Sequence, residues 1–211
     1  MSVILPLFPL RLVVFPGEDL NLHIFEPRYK QLINECHERG TTFGIPAYID
    51  NNIQPIGTEI ELVNIDKRYD DGKMDVRTRG TGIFKVLEFF MKMENRLYTG
   101  AEIERLSFDS DGDFLKNEQI LERLGELYDI LQIRKPIPEH SPAFNTYQIA
   151  HLVGFTLEQE YAFLCIPEEL RRQDYMLTHL DRLLPMAKEM EQLRRKVQMN
   201  GHFKNVIPPE V

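Results

Sequence analysis

The residues of this chain that could carry chemistry are few, and their spacing says more than their types. Residues 107–118, SFDSDGDFLKNE, bring Asp109, Asp111 and Glu118 into the frame of a calcium-binding loop, with Gly112 at its turn. The first ligand position of that frame holds Ser107, and the upstream flank alternates like a strand where an entering helix is required. The segment therefore reads as an acidic linker, and no metal site is expected. Asp109, Asp111 and Glu118 are the residues that would hold calcium if one formed. None of the six histidines forms an H-E-x-x-H or H-x-x-x-H pair for zinc. His23 alternates against Leu22 and Ile24, and His151 lies between Ala150 and Leu152; both read as structural. Cys36 and Cys165 fall on apolar stripes and read as buried, reduced thiols.

Nucleophiles and phosphate cradles are missing as well. The four serines (Ser2, Ser107, Ser110, Ser141) lie outside any G-x-S-x-G turn. Gly80-Thr81-Gly82 leads into a strand and lacks the Lys of a phosphate-binding loop. No cofactor is expected. The formal charge of −8 argues against nucleic acid as the main partner, because that binding rests on phosphate neutralisation. No apolar run is long enough to span a membrane. The apolar amino terminus has no basic flank and is broken by Pro6, Pro9 and Pro16, so the expected location is cytoplasmic.

The elements that would position these residues change along the chain. Nine of the 12 glycines lie in residues 1–112, which predicts a turn-rich β lobe followed by a helical one. Ile60 and Leu62 alternate against Glu59 and Glu61. Met74, Val76 and Thr78 alternate against Asp75, Arg77 and Arg79. Asp70-Asp71-Gly72 between them predicts a type I′ hairpin turn, with positive φ at both central positions. Ile83, Leu87 and Phe89 then oppose Phe84, Val86 and Phe90, and Leu97–Leu106 is a further strand candidate. One helix interrupts this lobe: Pro27 suits its first turn, Tyr29, Leu32, Ile33 and Cys36 form its inner face, and Gly40 closes it.

Past residue 113 the period becomes helical, with Ile120, Leu124, Leu127, Tyr128 and Leu131 on one stripe, ended by the Pro-rich 135–142. Asn145 caps a second helix ending near Gly154, and Thr156 with Gln159 forms a capping box for a third. A long helical stretch follows from Glu168 to Met199, which Pro185 should kink or restart. Arg194, Arg195 and Lys196 read as its solvated face, with Glu191 pairing Arg195; Met190, Leu193 and Val197 make self-association possible.

Leu5–Tyr29, LPLFPLRLVVFPGEDLNLHIFEPRY, resembles the opening of the Lon protease amino-terminal, or substrate-binding, domain family. The resemblance lies in the L-P-L-F-P-L start, the Phe15-Pro16-Gly17 turn and the Leu22–Tyr29 block. It continues in order through Thr42-Phe43-Gly44-Ile45, Ile56-Gly57-Thr58, Asp71-Gly72, and Arg79-Gly80-Thr81 running into Phe84-Lys85-Val86. It implies an α+β fold: a PUA-like β-barrel lobe (1–112; about six strands and one helix), an α-helical bundle lobe (113–200) and a tail (201–211). The ATPase and Ser-Lys peptidase modules of full Lon proteases have no counterpart in these residues. The expected protein is therefore non-enzymatic. It resembles free-standing versions of the domain and those joined to RING fingers or found in cereblon-type receptors.

That resemblance implies recognition of unfolded or partner polypeptides in proteolysis or protein quality control. The candidate binding residues are Phe15, Phe25, Glu26 and Arg28: apolar surroundings that include Phe8, rimmed by charge, along which an extended peptide could add a strand. Alternatively, Glu26 and Arg28 tie the helix to the first strands. Two other functional readings remain open: an RNA-binding PUA-like domain, and an oligomeric scaffold with no peptide recognition.

Overall fold

Alternating residues in the first half become six strands: β1 (Val3–Leu7), β2 (Asp19–Ile24), β3 (Phe43–Ile49), β4 (Asn52–Arg68), β5 (Met74–Phe90) and β6 (Thr99–Leu106). One helix, α1 (Pro27–Arg39), separates β2 from β3. The structure is a computed structural model and describes residues 3–91, 93–139, 141 and 143–202. Strand order is β2-β5-β4-β3-β1-β6, and a β5–β6 pairing closes a ring that leaves β2 outside it. β1 runs parallel to β3, and every other named pairing is antiparallel. The long β5 makes this possible by changing partners. Met74–Arg79 pairs with β2, and Ile83–Phe90 pairs with β6. Register shifts between β4 and β5 supply the extra residues that bend strands around a ring: Val63 and Asp66 on β4, and Thr81 on β5 opposite Glu59/Ile60.

The α+β class and the two-part layout expected from the glycine distribution are observed. Local details differ. Gly72 alone has positive φ (76°) in the 69–73 turn, where its N–H donates to the Tyr69 carbonyl. That is a hairpin with a left-handed glycine after an ordinary turn, not a type I′ turn. Two consecutive positive φ angles occur instead at Asp50 (48°) and Asn51 (62°), joining β3 to β4. A register shift at Val86/Glu88 also breaks the strict alternation of β5. Val86 and Phe89, expected on opposite faces, pack against one cluster of Leu5, Leu7, Phe84, Ala101 and Ile103, and Leu87 is exposed.

α1 buries the predicted Tyr29, Leu32, Ile33 and Cys36 against Phe43, Ile45, Ile60, Met74 and Val76, and ends at left-handed Gly40. In the second half, α2 (Phe114–Leu131) buries Ile120, Leu124, Leu127 and Tyr128, leaves Leu131 exposed, and stops at Gln132 before the Pro-rich stretch. Asn145 caps a tighter 3-10 turn, Thr146–Leu152, rather than an α-helix. α3 (Leu157–Leu164) carries the full capping box of Thr156 and Gln159. α4 (Glu169–His202) continues through Pro185 as one helix, so nothing restarts there. Its two sides are held parallel to α2 by Arg123–Asp181 (2.5 Å) before the proline and Lys188–Glu126 (2.6 Å) after it. The tail expected over 201–211 lies, from 203 on, outside the described residues. No helix among the described residues is long and apolar enough to cross a membrane.

The barrel and the helices meet in one continuous core. Val13, Phe15, Ala47, Ile49 and Ile83 pack with residues of α2, α3, α4 and the 3-10 turn. The turn that delivers Phe15 is seated on β5. Gly17 donates to the Gly80 carbonyl and Gly80 to that of Glu18. A Cβ at position 80 would lie 2.4 Å from the Phe15 carbonyl oxygen, so that approach requires glycine.

Candidate functional site

β2 ends the strand order and, among the described residues, is paired on one side only, by β5. Its Leu20 carbonyl accepts from Thr78 Oγ1 on the β5 side. By antiparallel alternation Asp19, Asn21 and His23 then direct their main-chain groups to the open edge. Immediately after this strand stands Phe25, with 57% of its surface exposed. His23 lies beside it, ring centroids 6.3 Å apart, and is held from β5 by Asp75 (Nδ1 to Oδ1, 2.6 Å). Tyr69 donates to the other Asp75 oxygen at 2.7 Å. His23 first, then Tyr69, holds the Asp75 carboxyl below the usual carboxylate range. The result is an apolar ring, braced by a polar relay, at the end of an unpaired strand edge.

Glu26 and Arg28 lie next along the chain, and they pair with each other (Arg28 Nη2 to Glu26 Oε2, 2.7 Å). Glu26 is the residue before α1 but makes no side-chain cap to the helix. The Arg28 guanidinium also lies 4.5 Å over the Tyr29 ring, which stacks in turn on buried Phe8. Both charged groups keep part of their surface exposed and follow Phe25 directly in the chain.

Phe15 does not belong to this surface. It is fully buried, stacked on Tyr147 at 5.3 Å and edge-on to Phe163, because the turn on Gly80 aims it into the helices. Of the three phenylalanines thought to line one edge, Phe8 is buried under Tyr29, Phe15 fills the seam between barrel and helices, and only Phe25 meets solvent. His151 closes that seam between Glu160 (2.7 Å) and Glu18 (3.1 Å). Burial disfavours its charge, yet the two carboxylates prevail and lift its pKa to about 9.

The acidic segment 107–118 does not take the shape of a twelve-residue calcium loop. α2 begins at Phe114, inside the calcium frame, and Asp113 caps it through the Lys116 N–H. Asp109 accepts the Glu169 N–H at 2.7 Å, Asp111 is exposed, and Glu118 lies on α2. Among the described residues no group of three or more His, Cys, Asp or Glu is placed to hold a metal. The buried group here is Arg172. It pairs with Glu169 at 2.7 Å and donates to the carbonyls of Ile166, Pro167 and Asp109, fastening the linker to α4. Cys36 is buried and its thiol is pushed up to about 11 by that burial; Cys165, expected to be buried, is only partly so.

A groove of about 470 Å³ between β1, β6 and the end of α1 was not legible in the sequence. Glu59, which alternates against Ile60 along β4, is buried at its floor. Arg105 grips it with two hydrogen bonds (2.6 and 2.8 Å), Thr42 donates a third, and the Arg105 bonds lead in depressing its pKa. A glutamate in strict alternation gives no sign that an arginine from a distant strand will cover it.

Comparison with known proteins gives this arrangement its class. Residues 4–197 match the ATP-dependent protease La (LON) substrate-binding domain family, and the chain belongs to that family. It is similar to the crystal structure of a Lon N-terminal domain protein from Xanthomonas campestris, at 27% identity and a TM-score of 0.65, covering 83% of this chain and 98% of that one. The N-terminal domain of Mycobacterium avium complex Lon protease shares the fold at 12% identity, with a TM-score of 0.61 over 85% of this chain and 98% of that one.

Proposed function

We propose that the protein binds extended polypeptides, unfolded segments or a partner's strand, and does not itself cleave them. The carrying observation is membership, across residues 4–197, in a family defined by substrate binding in an ATP-dependent protease. The open edge of β2 supports the reading and suggests the mode. A peptide laid beside β2 would pair with the main-chain groups of Asp19, Asn21 and His23 and place an apolar side chain on Phe25. Glu26 and Arg28 would select against mismatched charge at the rim. Residues 1–112 then form the receptor lobe and 113–200 the support that fixes it. Family membership supports a role for that binding in proteolysis or quality control.

Fluorescence anisotropy with a panel of labelled apolar and mixed peptides tests it. Micromolar binding is expected, weakened by Phe25→Ala and Arg28→Glu while near-UV circular dichroism stays native. A panel in which no peptide binds the wild type overturns the reading.

A further inference from the structure

α4 bears a surface that the β2 edge does not involve. Asp174, Asp181 and Lys188, at seven-residue intervals, face α2 through Lys116, Arg123 and Glu126. On a helix, the line opposite those residues is the one occupied by Met186, Met190, Leu193 and Val197, spaced four, three and four apart. All four are exposed, between 55% and 70%. Leu183, one step earlier on the same line, is partly buried beside Gly154, so the apolar line leaves the body of the protein at Met186. α2 ends at Leu131, five residues past Glu126, so α4 outruns it from about Leu193 onward.

We infer that this part of α4 pairs with the same segment of a second copy of the chain, parallel and in register, as a short two-stranded coiled coil. The spacing gives alternating seam positions: Met190 and Val197 in one class, Met186 and Leu193 in the other. The flanking charges select the partner. Glu189 precedes the seam residue Met190, and Arg194 follows the seam residue Leu193. In a parallel pair these are the positions that face each other across the interface. One chain supplies both signs, so a symmetric pair forms Glu189–Arg194 bridges twice over. Arg194 is available for this role. It is 63% exposed, and its nearest carboxylate, that of Glu191 at 3.9 Å, is held closer by Arg195 at 3.0 Å. The self-association suggested by the sequence thereby gains a surface, an orientation and a register.

Sedimentation velocity of the full chain across a broad concentration range tests the pairing. The mass should rise from 24.8 kDa toward twice that value. Leu193→Glu, at a solvent-facing site, should raise the dissociation constant by about tenfold or more. Glu189→Lys and Arg194→Glu should each weaken the dimer, and the reciprocal pair E189K/R194E should restore it; far-UV circular dichroism checks that each variant keeps its helix. A monomer at every concentration overturns the inference, as does a dimer indifferent to Leu193→Glu. A charge swap that fails to restore association overturns the parallel register.

Discussion

Raising the pH should loosen the seam where the Phe15 turn meets the helices, because a single imidazolium is clamped there between two carboxylates. His151 reaches Glu160 from one ring nitrogen and Glu18 from the other, and its ring lies 4.9 Å from that of Phe15. Its pKa rises from an ordinary 6.5 to about 9. A group whose pKa is raised on folding stabilises the native state fully below the unfolded value and loses that contribution as pH climbs through the folded one. The window is therefore pH 6.5 to about 9. At about 1.4 kcal/mol per unit the unscreened effect would be roughly 3 kcal/mol. The side chain keeps 37% of its surface in solvent, and screening reduces the expected loss to about 1–2 kcal/mol. Urea unfolding of the wild type and His151→Gln, at intervals from pH 6 to pH 10, reads it directly. The wild type should lose about 1–2 kcal/mol relative to the variant as pH rises through that window. Parallel pH profiles for the two proteins would refute the clamp.

Other perturbations address separate parts of the structure. Arg172→Met removes the cation from the buried Glu169 carboxylate, whose pKa burial already raises, and should cost about 3–5 kcal/mol in urea unfolding; a change under about 1 kcal/mol would show the pair to be dispensable. The Cys36 thiol, at about 11, and the partly buried Cys165, also raised by burial, should both resist a disulfide reagent in the native protein at pH 8. Reaction about tenfold or more slower than in denaturant is expected, and native-state labelling at the denatured rate would contradict it.

What the sequence disclosed follows the range of the interactions involved. The Thr156/Gln159 capping box, the Asn145 cap, the Pro27 start and the Gly40 stop are made by residues within a few positions of each other, and each is in place. The buried stripe of α1 and most of that of α2 follow from period alone. The candidate site was only partly legible for the same reason. Phe25, Glu26 and Arg28 are neighbours in the chain and remain neighbours at the surface. Phe15 is displaced from them by contacts with Tyr147 and Phe163 in the other half of the protein, which no local pattern encodes. The burial of Glu59 has no local signal either, because its cover, Arg105, arrives from another strand. Bulges in β4 and β5 defeat alternation wherever they fall, and a two-residue period cannot announce them.

Peptide capture along β2 is the claim on which the functional account stands, and amide hydrogen exchange with and without a bound extended polypeptide measures it at the residues concerned. Binding should slow exchange at Asp19, Asn21 and His23, whose amides face the open edge, with little change at Leu20 and Leu22, which already pair with β5. Polypeptide binding that leaves Asp19–Phe25 unprotected and slows exchange elsewhere would contradict it.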